Sequence, residues 1–449
     1  MSEPRRRRRV LFVCEAVTLA QVVRLATLSR ALDRARYQVH FASAHFDPMI
    51  FGASGSVALP LAAFPASASA SASASASASA SAQGLSEPIL VRHRIRSLSA
   101  RTIDARVASG RRLYGRSILA RYVAEERALL AEVRPDLVVG DLRLSLSISA
   151  ALEKIPYANL INAYWSPSVT RPGFPMPDHP IVRLLGVELA GRYFPRALPF
   201  VFRHFAGPVN ALREQHGLPP LADLPHVLTH GDHALFPDVP LLVPTRALPS
   251  HHRYLGPVLW SPGIALPSWW DKLDAGRPTV YVTLGSSGRV QRLRLIVDVA
   301  SELGLQVIVA TAGRAPRLMG EGAGVPHHVF VTDYLPGHLA ARRAQIVVSN
   351  GGSTTGYQAL AEGRPVLGIA FNLDQYLAMT AIEDAGAGLM VRAGNLDRDR
   401  LRAALQRMLS EPSFAGEAAR LAREFTRWNA AEAFAAFVDE TLGLPVPTT

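Results

Sequence analysis

Residues 346 to 375, IVVSNGGSTTGYQALAEGRPVLGIAFNLDQ, leave this chain few ways to fold. A β-branched run, Ile346 to Val348, stops at Asn350-Gly351-Gly352. Ser353, Thr354 and Thr355 then open a helical segment, and Gly363 closes it. Pro365 starts a second apolar run that ends at Asp374-Gln375. This reads as a βαβ unit with its helix beginning directly behind a glycine turn. Amides without intrahelical partners and the positive end of the helix dipole suit an anion there. A second polar set one strand further on suits hydroxyls. Glycines and hydroxyls at a helix start also serve as ordinary caps, so the turn alone does not decide for a site.

Apolar runs and helical patterns alternate elsewhere too, which implies an α/β architecture with parallel sheets. One series starts at Val10–Val13, with a helix at about Gln21–Leu32 and strands at Val39–Ala42, Asp136–Asp141 and Ala158–Ile161. A second starts at Thr279–Leu284 and continues with Gln306–Ala310, Val329–Val331 and Leu389–Val391. With 449 residues, two domains of about 200 residues each are expected. We place them at 1–240 and 276–449, with a proline-rich linker at 241–275. Residues 162–232, rich in Pro, aromatics and His, read as irregular loops and short helices around a cavity. A last helical pattern spans about Phe414–Leu442. The Ser/Ala alternation at 66–82 has no side chain large enough to bury useful area and reads as a disordered insertion without chemistry.

Composition narrows the setting. The lone Cys14 excludes an intrachain disulfide and fits a reducing, cytoplasmic compartment. Charges interrupt every long apolar stretch, so no transmembrane helix is expected. The net charge is +12, with Arg5 to Arg9 in a row and ten arginines between Arg92 and Arg127. Such a cluster suits a solvated helix face first and peripheral contact with an anionic membrane second. No nucleic-acid-binding motif accompanies it, so no nucleic-acid partner is expected.

The 346–375 stretch resembles the C-terminal signature of the nucleotide-sugar-dependent glycosyltransferases of GT-B fold, the family of the macrolide, glycopeptide and flavonoid enzymes. Gly351, Gly352, Thr354, Thr355, Gly363, Pro365, Asp374 and Gln375 match it. Asn350 stands where the family usually has histidine, and Gln358 where many members have glutamate. The resemblance implies two facing Rossmann-like domains with an interdomain cleft, the last helix crossing back to the first domain. It also implies a donor site. Asn350, Gly351, Gly352, Thr354 and Thr355 would surround the diphosphate, together with Gly285 and Ser286 of a second glycine turn. Tyr334 would stack on the nucleobase and the Leu335 backbone would bond its edge. Gln358 would reach a ribose hydroxyl, and Asp374 with Gln375 the donor sugar.

The first half departs from the family at its catalytic position. A Gly-His pair after the first strand normally supplies the general base, oriented by an aspartate. Ala20-Gln21 stands there, with Asp141 fitting the partner. Gln21 cannot accept a proton, and losing a general base typically removes about 10² to 10⁴ in rate. Four explanations stay open: Asp141 acts directly, a histidine such as His45, His93 or His179 enters, the acceptor ionises readily, or catalysis is lost.

The expected function is transfer from an NDP-sugar, UDP- or dTDP-linked, to a small or lipid-like acceptor, by an inverting glycosyltransferase of hexosyltransferase type. The alternative is a catalytically silent nucleotide-sugar binder. No cofactor or metal is expected. His226, His230 and His233 share a helical spacing but have no Cys or Glu at metalloenzyme spacing. No Gly-x-Ser-x-Gly elbow suggests a hydrolase.

Overall fold

The computed structural model describes residues 6–51, 90–99, 102–103, 105–106, 111–171, 173–176, 187–285, 290–313 and 326–444. The Ser/Ala stretch, His179 and Ser286 lie outside these residues. Among the described residues thirteen strands form two parallel sheets. The first contains β1 (Arg8–Cys14), β2 (Tyr37–Ser43), β3 (Leu90–Arg94), β4 (Leu137–Asp141), β5 (Tyr157–Leu160), β6 (His233–Phe236) and β7 (His252–Tyr254). Its order is β3-β2-β1-β4-β5-β6-β7. The second contains β8 (Thr279–Thr283), β9 (Gln306–Ala310), β10 (Val329–Thr332), β11 (Ile346–Ser349), β12 (Val366–Ala370) and β13 (Gly388–Arg392), in the order β10-β9-β8-β11-β12-β13.

The inner strands are continuous apolar runs because helices cover both faces of a parallel sheet. Val10 to Cys14 and Val307 to Val309 are almost wholly buried. The helices used below are α1 (Leu19–Arg30), α2 (Arg116–Val133), α3 (Leu146–Glu153), α4 (Val187–Gln215), α5 (Val290–Glu302), α6 (Gly337–Arg343), α7 (Ser353–Ala361), α8 (Leu373–Asp384), α9 (Arg398–Ser410), α10 (Pro412–Phe425) and α11 (Ala430–Thr441). One buried apolar cluster joins Trp165 and Phe202 of the first half to Tyr357 and Phe425 of the second. Phe434 of α11 packs on Phe12 of β1, their ring centroids 5.8 Å apart. Asp439 on the same helix pairs with Arg36 at 2.9 Å.

Each sheet winds outward in both directions from its middle. The connections diverge between β1 and β4 in the first sheet and between β8 and β11 in the second. Crevices open at the carboxyl ends of strands at such switch points, and ligands bind there in open α/β sheets.

Three expectations need correcting. The Pro-rich stretch 162–232 is not only loops and short helices, since α4 runs 29 residues with Pro195, Pro199 and Pro208 inside it. Proline removes an amide donor and strains a helix, but packing of one face holds the helix through such positions. The segment expected as a linker carries β7, paired in parallel with β6. The final helical pattern is two helices, broken before Asn429, whose side chain caps α11 by accepting from the Ala431 and Glu432 amides. Among the described residues no helix is long and apolar enough to cross a membrane.

Candidate active site

The second sheet's switch point is built from glycine turns. β8 and β11 are neighbours in register, Thr283 beside Ser349, so the turns after them meet. Gly285 has φ +58° and Gly351 φ +81°, in the left-handed region where a side chain is strained. A Cβ on Gly351 would also meet Met379 Cγ at 2.9 Å. The Asn350 amide nitrogen lies 3.6 Å from where a Gly285 Cβ would be, which brings the two turns together.

Helix α7 starts at this junction with Gly352 as its N-cap, and no side chain caps it. By contrast α8 is capped by Asn372 and α9 by Asp397, each accepting an amide in the first turn. Among the described residues no side chain accepts from the first-turn amides of α7, around Thr354 and Thr355. Tyr334, after β10, is 39% exposed while Leu335 is buried, as a base-stacking ring on a fixed backbone would need. The Gln358 amide donates to the Trp260 carbonyl at 2.8 Å, so this side chain is partly committed to the connecting segment.

The two halves meet on Asp374, at the start of α8. Trp165 Nε1 donates to its Oδ1 at 2.8 Å and the Tyr164 hydroxyl donates to the same oxygen at 3.1 Å. Oδ2 accepts no hydrogen bond among the described residues. Gln375 is buried, and its side-chain oxygen accepts from the Phe371 amide at 3.0 Å.

The first sheet's switch point is filled. Asp141, at the end of β4, is fully buried, and Arg24 binds both its oxygens, Nε to Oδ2 at 3.0 Å and Nη2 to Oδ1 at 2.9 Å. Burial pushes the Asp141 carboxyl up to about 6, against the pull of Arg24. Burial works against the Arg24 charge as well, but Asp141 more than offsets it. Arg24 Nη1 also donates to Asn162 Oδ1 at 2.7 Å, and Asn162 donates to Asp238 at 2.9 Å. Asp238 accepts from the Ala163 amide at 2.6 Å and from the Tyr357 hydroxyl of α7. A continuous polar chain therefore runs from the crevice of the first sheet to the helix at the crevice of the second.

Gln21 lies one turn before Arg24 on the same face of α1, yet it plays a local part. Its side-chain oxygen accepts from the Thr18 amide at 2.8 Å and the Thr18 hydroxyl at 2.7 Å, holding the start of the helix. Two residues after Asp141, Arg143 is buried between Glu15 at 2.7 Å and Glu126 at 2.6 Å, over the Tyr122 ring. It donates to the Arg96 carbonyl at 2.6 Å and so ties down the segment after β3.

Of the histidines considered from sequence, His93 is 3.0 Å from His40 Nδ1, on the β2–β3 edge. His45 follows β2. Neither is bonded to the Asp141 chain. His226 lies in a five-residue turn, bonded to Asp223 at 2.6 Å, whereas His233 begins β6, so the three histidines share no helical face.

Sequence reasoning missed Arg24, Asn162, Asp238 and Arg171. Arg171 lies over the Phe174 ring at 3.9 Å. Its Nε and Nη2 are buried without a hydrogen-bond partner among the described residues, and burial lowers its pKa to about 10. An arginine one turn after Gln21 was the available signal for the first of these.

Comparison with known proteins decides the family. A model of the C-terminal domain of erythromycin biosynthesis protein CIII-like proteins matches residues 294–434. A PGL/p-HBAD biosynthesis glycosyltransferase of Mycobacterium tuberculosis is 42% identical over 421 residues, 94% of this chain and 89% of the relative. The chain belongs to this family of glycosyltransferases. A PGL/p-HBAD biosynthesis rhamnosyltransferase of Mycobacterium bovis is 43% identical, covering 94% of this chain and 85% of that one. An inactive PGL/p-HBAD biosynthesis glycosyltransferase of Mycobacterium bovis is 42% identical over 65% of this chain and 71% of its own length. Among solved structures, spinosyn rhamnosyltransferase SpnG complexed with thymidine diphosphate matches with a TM-score of 0.64 at 18% identity, covering 96% of this chain and all of that one. That likeness establishes the fold as GT-B.

Proposed function

We propose that this glycosyltransferase moves a 6-deoxyhexose of the rhamnose kind from a thymidine or uridine diphosphate to a lipid-like acceptor of the PGL/p-HBAD type, with inversion at the anomeric carbon. The observation that carries this reading is Asp374. It stands at a helix start beside the uncapped α7, held by Trp165 and Tyr164 from the opposite half. A carboxylate fixed between the halves, with one oxygen remaining, suits the hydroxyls of a sugar whose diphosphate rests on α7. The relatives named as PGL/p-HBAD enzymes support the acceptor, and the rhamnosyltransferase among them supports the sugar.

The chemistry follows from what each side chain has left to give. The first-turn amides of α7 and the turn at Gly285 would stabilise the leaving diphosphate, an electrostatic role that grows as the bond breaks. Asn350 offers a neutral donor where a histidine would offer a cation, a weaker bond by about half. Asp141 is closed off by Arg24 and so offers no free carboxylate nucleophile, which supports a single displacement with inversion. For the same reason it is not placed to take the acceptor's proton. The acceptor hydroxyl would then be acidic in its own right, as in a phenol, and the positive charge of Arg171 would favour its ionised form.

A second reading is favoured by the same Arg24–Asp141 pair: the chain binds the nucleotide sugar without turning it over. A thermal-shift screen of nucleotide sugars, followed by product mass on phenolic and aliphatic acceptors, separates the two. Transfer supports the first reading, binding without transfer or hydrolysis supports the second, and no shift with any nucleoside diphosphate at millimolar concentration removes both.

A further inference from the structure

From Tyr193 onward, helix α4 buries one face and exposes the other. Phe202, Ala206, Val209 and Leu212 are turned into the molecule. Tyr193, Arg196, Phe200 and Arg203 follow one another at steps of three, four and three residues and so share one face. All four are exposed, Tyr193 by 55% and Phe200 by 71%. The stripe alternates aromatic and cationic side chains over about 15 Å of helix. No Asp or Glu occurs between residues 189 and 213. Large exposed rings cost solubility and mark a contact surface when they gather on one face. Rings flanked by arginines, with no acidic counterpart, fit an interfacial helix lying on an anionic bilayer.

The buried face of α4 points to what this contact would serve. The Phe202 ring meets Phe174 edge-on at 4.7 Å, and Phe174 lies 6.4 Å from Trp165. Trp165 in turn bonds Asp374, the proposed sugar-binding carboxylate. An aromatic path therefore leads from the helix that carries the exposed stripe to the place of reaction.

We propose that the Tyr193–Arg196–Phe200–Arg203 face of α4 docks on an anionic membrane surface, and that the packed rings of Phe202, Phe174 and Trp165 couple the docked helix to the side where a lipid-like acceptor is met. The second half of this statement rests on the acceptor reading above, while the docking itself does not. It also places the contact on α4 rather than on the arginine-rich segment 92–127.

The test is sedimentation of the full chain with vesicles of phosphatidylcholine alone or mixed with phosphatidylglycerol, at low and high salt. The expected result is binding to the anionic vesicles only, weakened by salt. It should fall about tenfold or more in a variant carrying Arg196→Glu, Phe200→Ser and Arg203→Glu. Arg121→Glu, an exposed position on α2, should leave it unchanged. A thermal shift with thymidine diphosphate on the same samples shows that the triple variant is folded, and it tests the donor site independently of vesicles. No binding by the wild type at low salt would overturn the proposal. So would equal binding by the triple variant, or an equal loss in Arg121→Glu.

Discussion

The two sheets carry the same topological opportunity and use it differently. At the β8/β11 switch point the chain provides glycines at positive φ and a helix with no side-chain cap. At the β1/β4 switch point it provides Asp141 and then fills it with Arg24. Both arrangements answer the electrostatics of a crevice. One leaves helix-start donors without a side-chain cap among the described residues, whereas the other satisfies its charge internally. The contrast shows that a strand-end carboxylate is not a catalytic group by position alone. Its oxygens must also be unclaimed.

The largest effect should come from opening the filled crevice. Arg24→Ala leaves Asp141 buried without its partner, which should destabilise the chain by about 3–5 kcal/mol in urea unfolding. An unchanged midpoint would show that the pair is not closed in solution. Asp374→Asn comes next. It should raise the KM for the nucleotide sugar by about tenfold or more, while affinity for the free nucleoside diphosphate stays the same. Equal loss for both ligands would move Asp374 out of the sugar site.

Gly352→Asp sharpens the contrast from the other side. Its φ of −71° and ψ of 142° accept an aspartate, which would cap α7 and add a few tenths of a kcal/mol to stability. The same carboxylate should repel the diphosphate and weaken nucleotide binding by about tenfold or more. Higher stability with unchanged affinity would place the diphosphate elsewhere. The smallest effect is expected for Gln21→Ala, about 1 kcal/mol of stability from the lost capping bonds and little change in turnover. A large fall in kcat would show that Gln21 acts on the substrate after all.

The pH dependence of stability gives a separate check on Asp141. Its pKa is raised in the folded state, to about 6 from 3.8. The folded chain therefore holds more protons at this site between those values, and stability falls as pH rises through 6. Asp141→Asn should remove that part of the slope, seen as the difference between the wild-type and variant unfolding curves from pH 4 to 7.

What was legible in the sequence was whatever short-range chemistry dictates. Buried parallel strands are continuous apolar runs, so Gln306–Ala310 and Thr279–Thr283 stand out. Gly351 and Pro365 mark the turn and the strand that follow from their own backbone limits. The misses have a common cause, since packing overrode local signals. Three prolines hid α4, whose buried face holds the helix together. Arg24 reaches residues 117 and 138 positions away in sequence, and no periodicity encodes such a meeting. Gln21 was readable as a non-base, but its bond to Thr18 became visible only in three dimensions.

The most direct measurement is the rate of transfer from a thymidine-diphospho-deoxyhexose to a series of acceptors of graded hydroxyl acidity, across pH, in the wild type and in Asp141→Asn. With Asp141 closed off by Arg24, the rate should rise with acceptor acidity and with pH toward the acceptor's own ionisation. A rate indifferent to acceptor acidity, following a group near pH 6 and lost in Asp141→Asn while nucleotide binding persists, would contradict the account and make Asp141 the base.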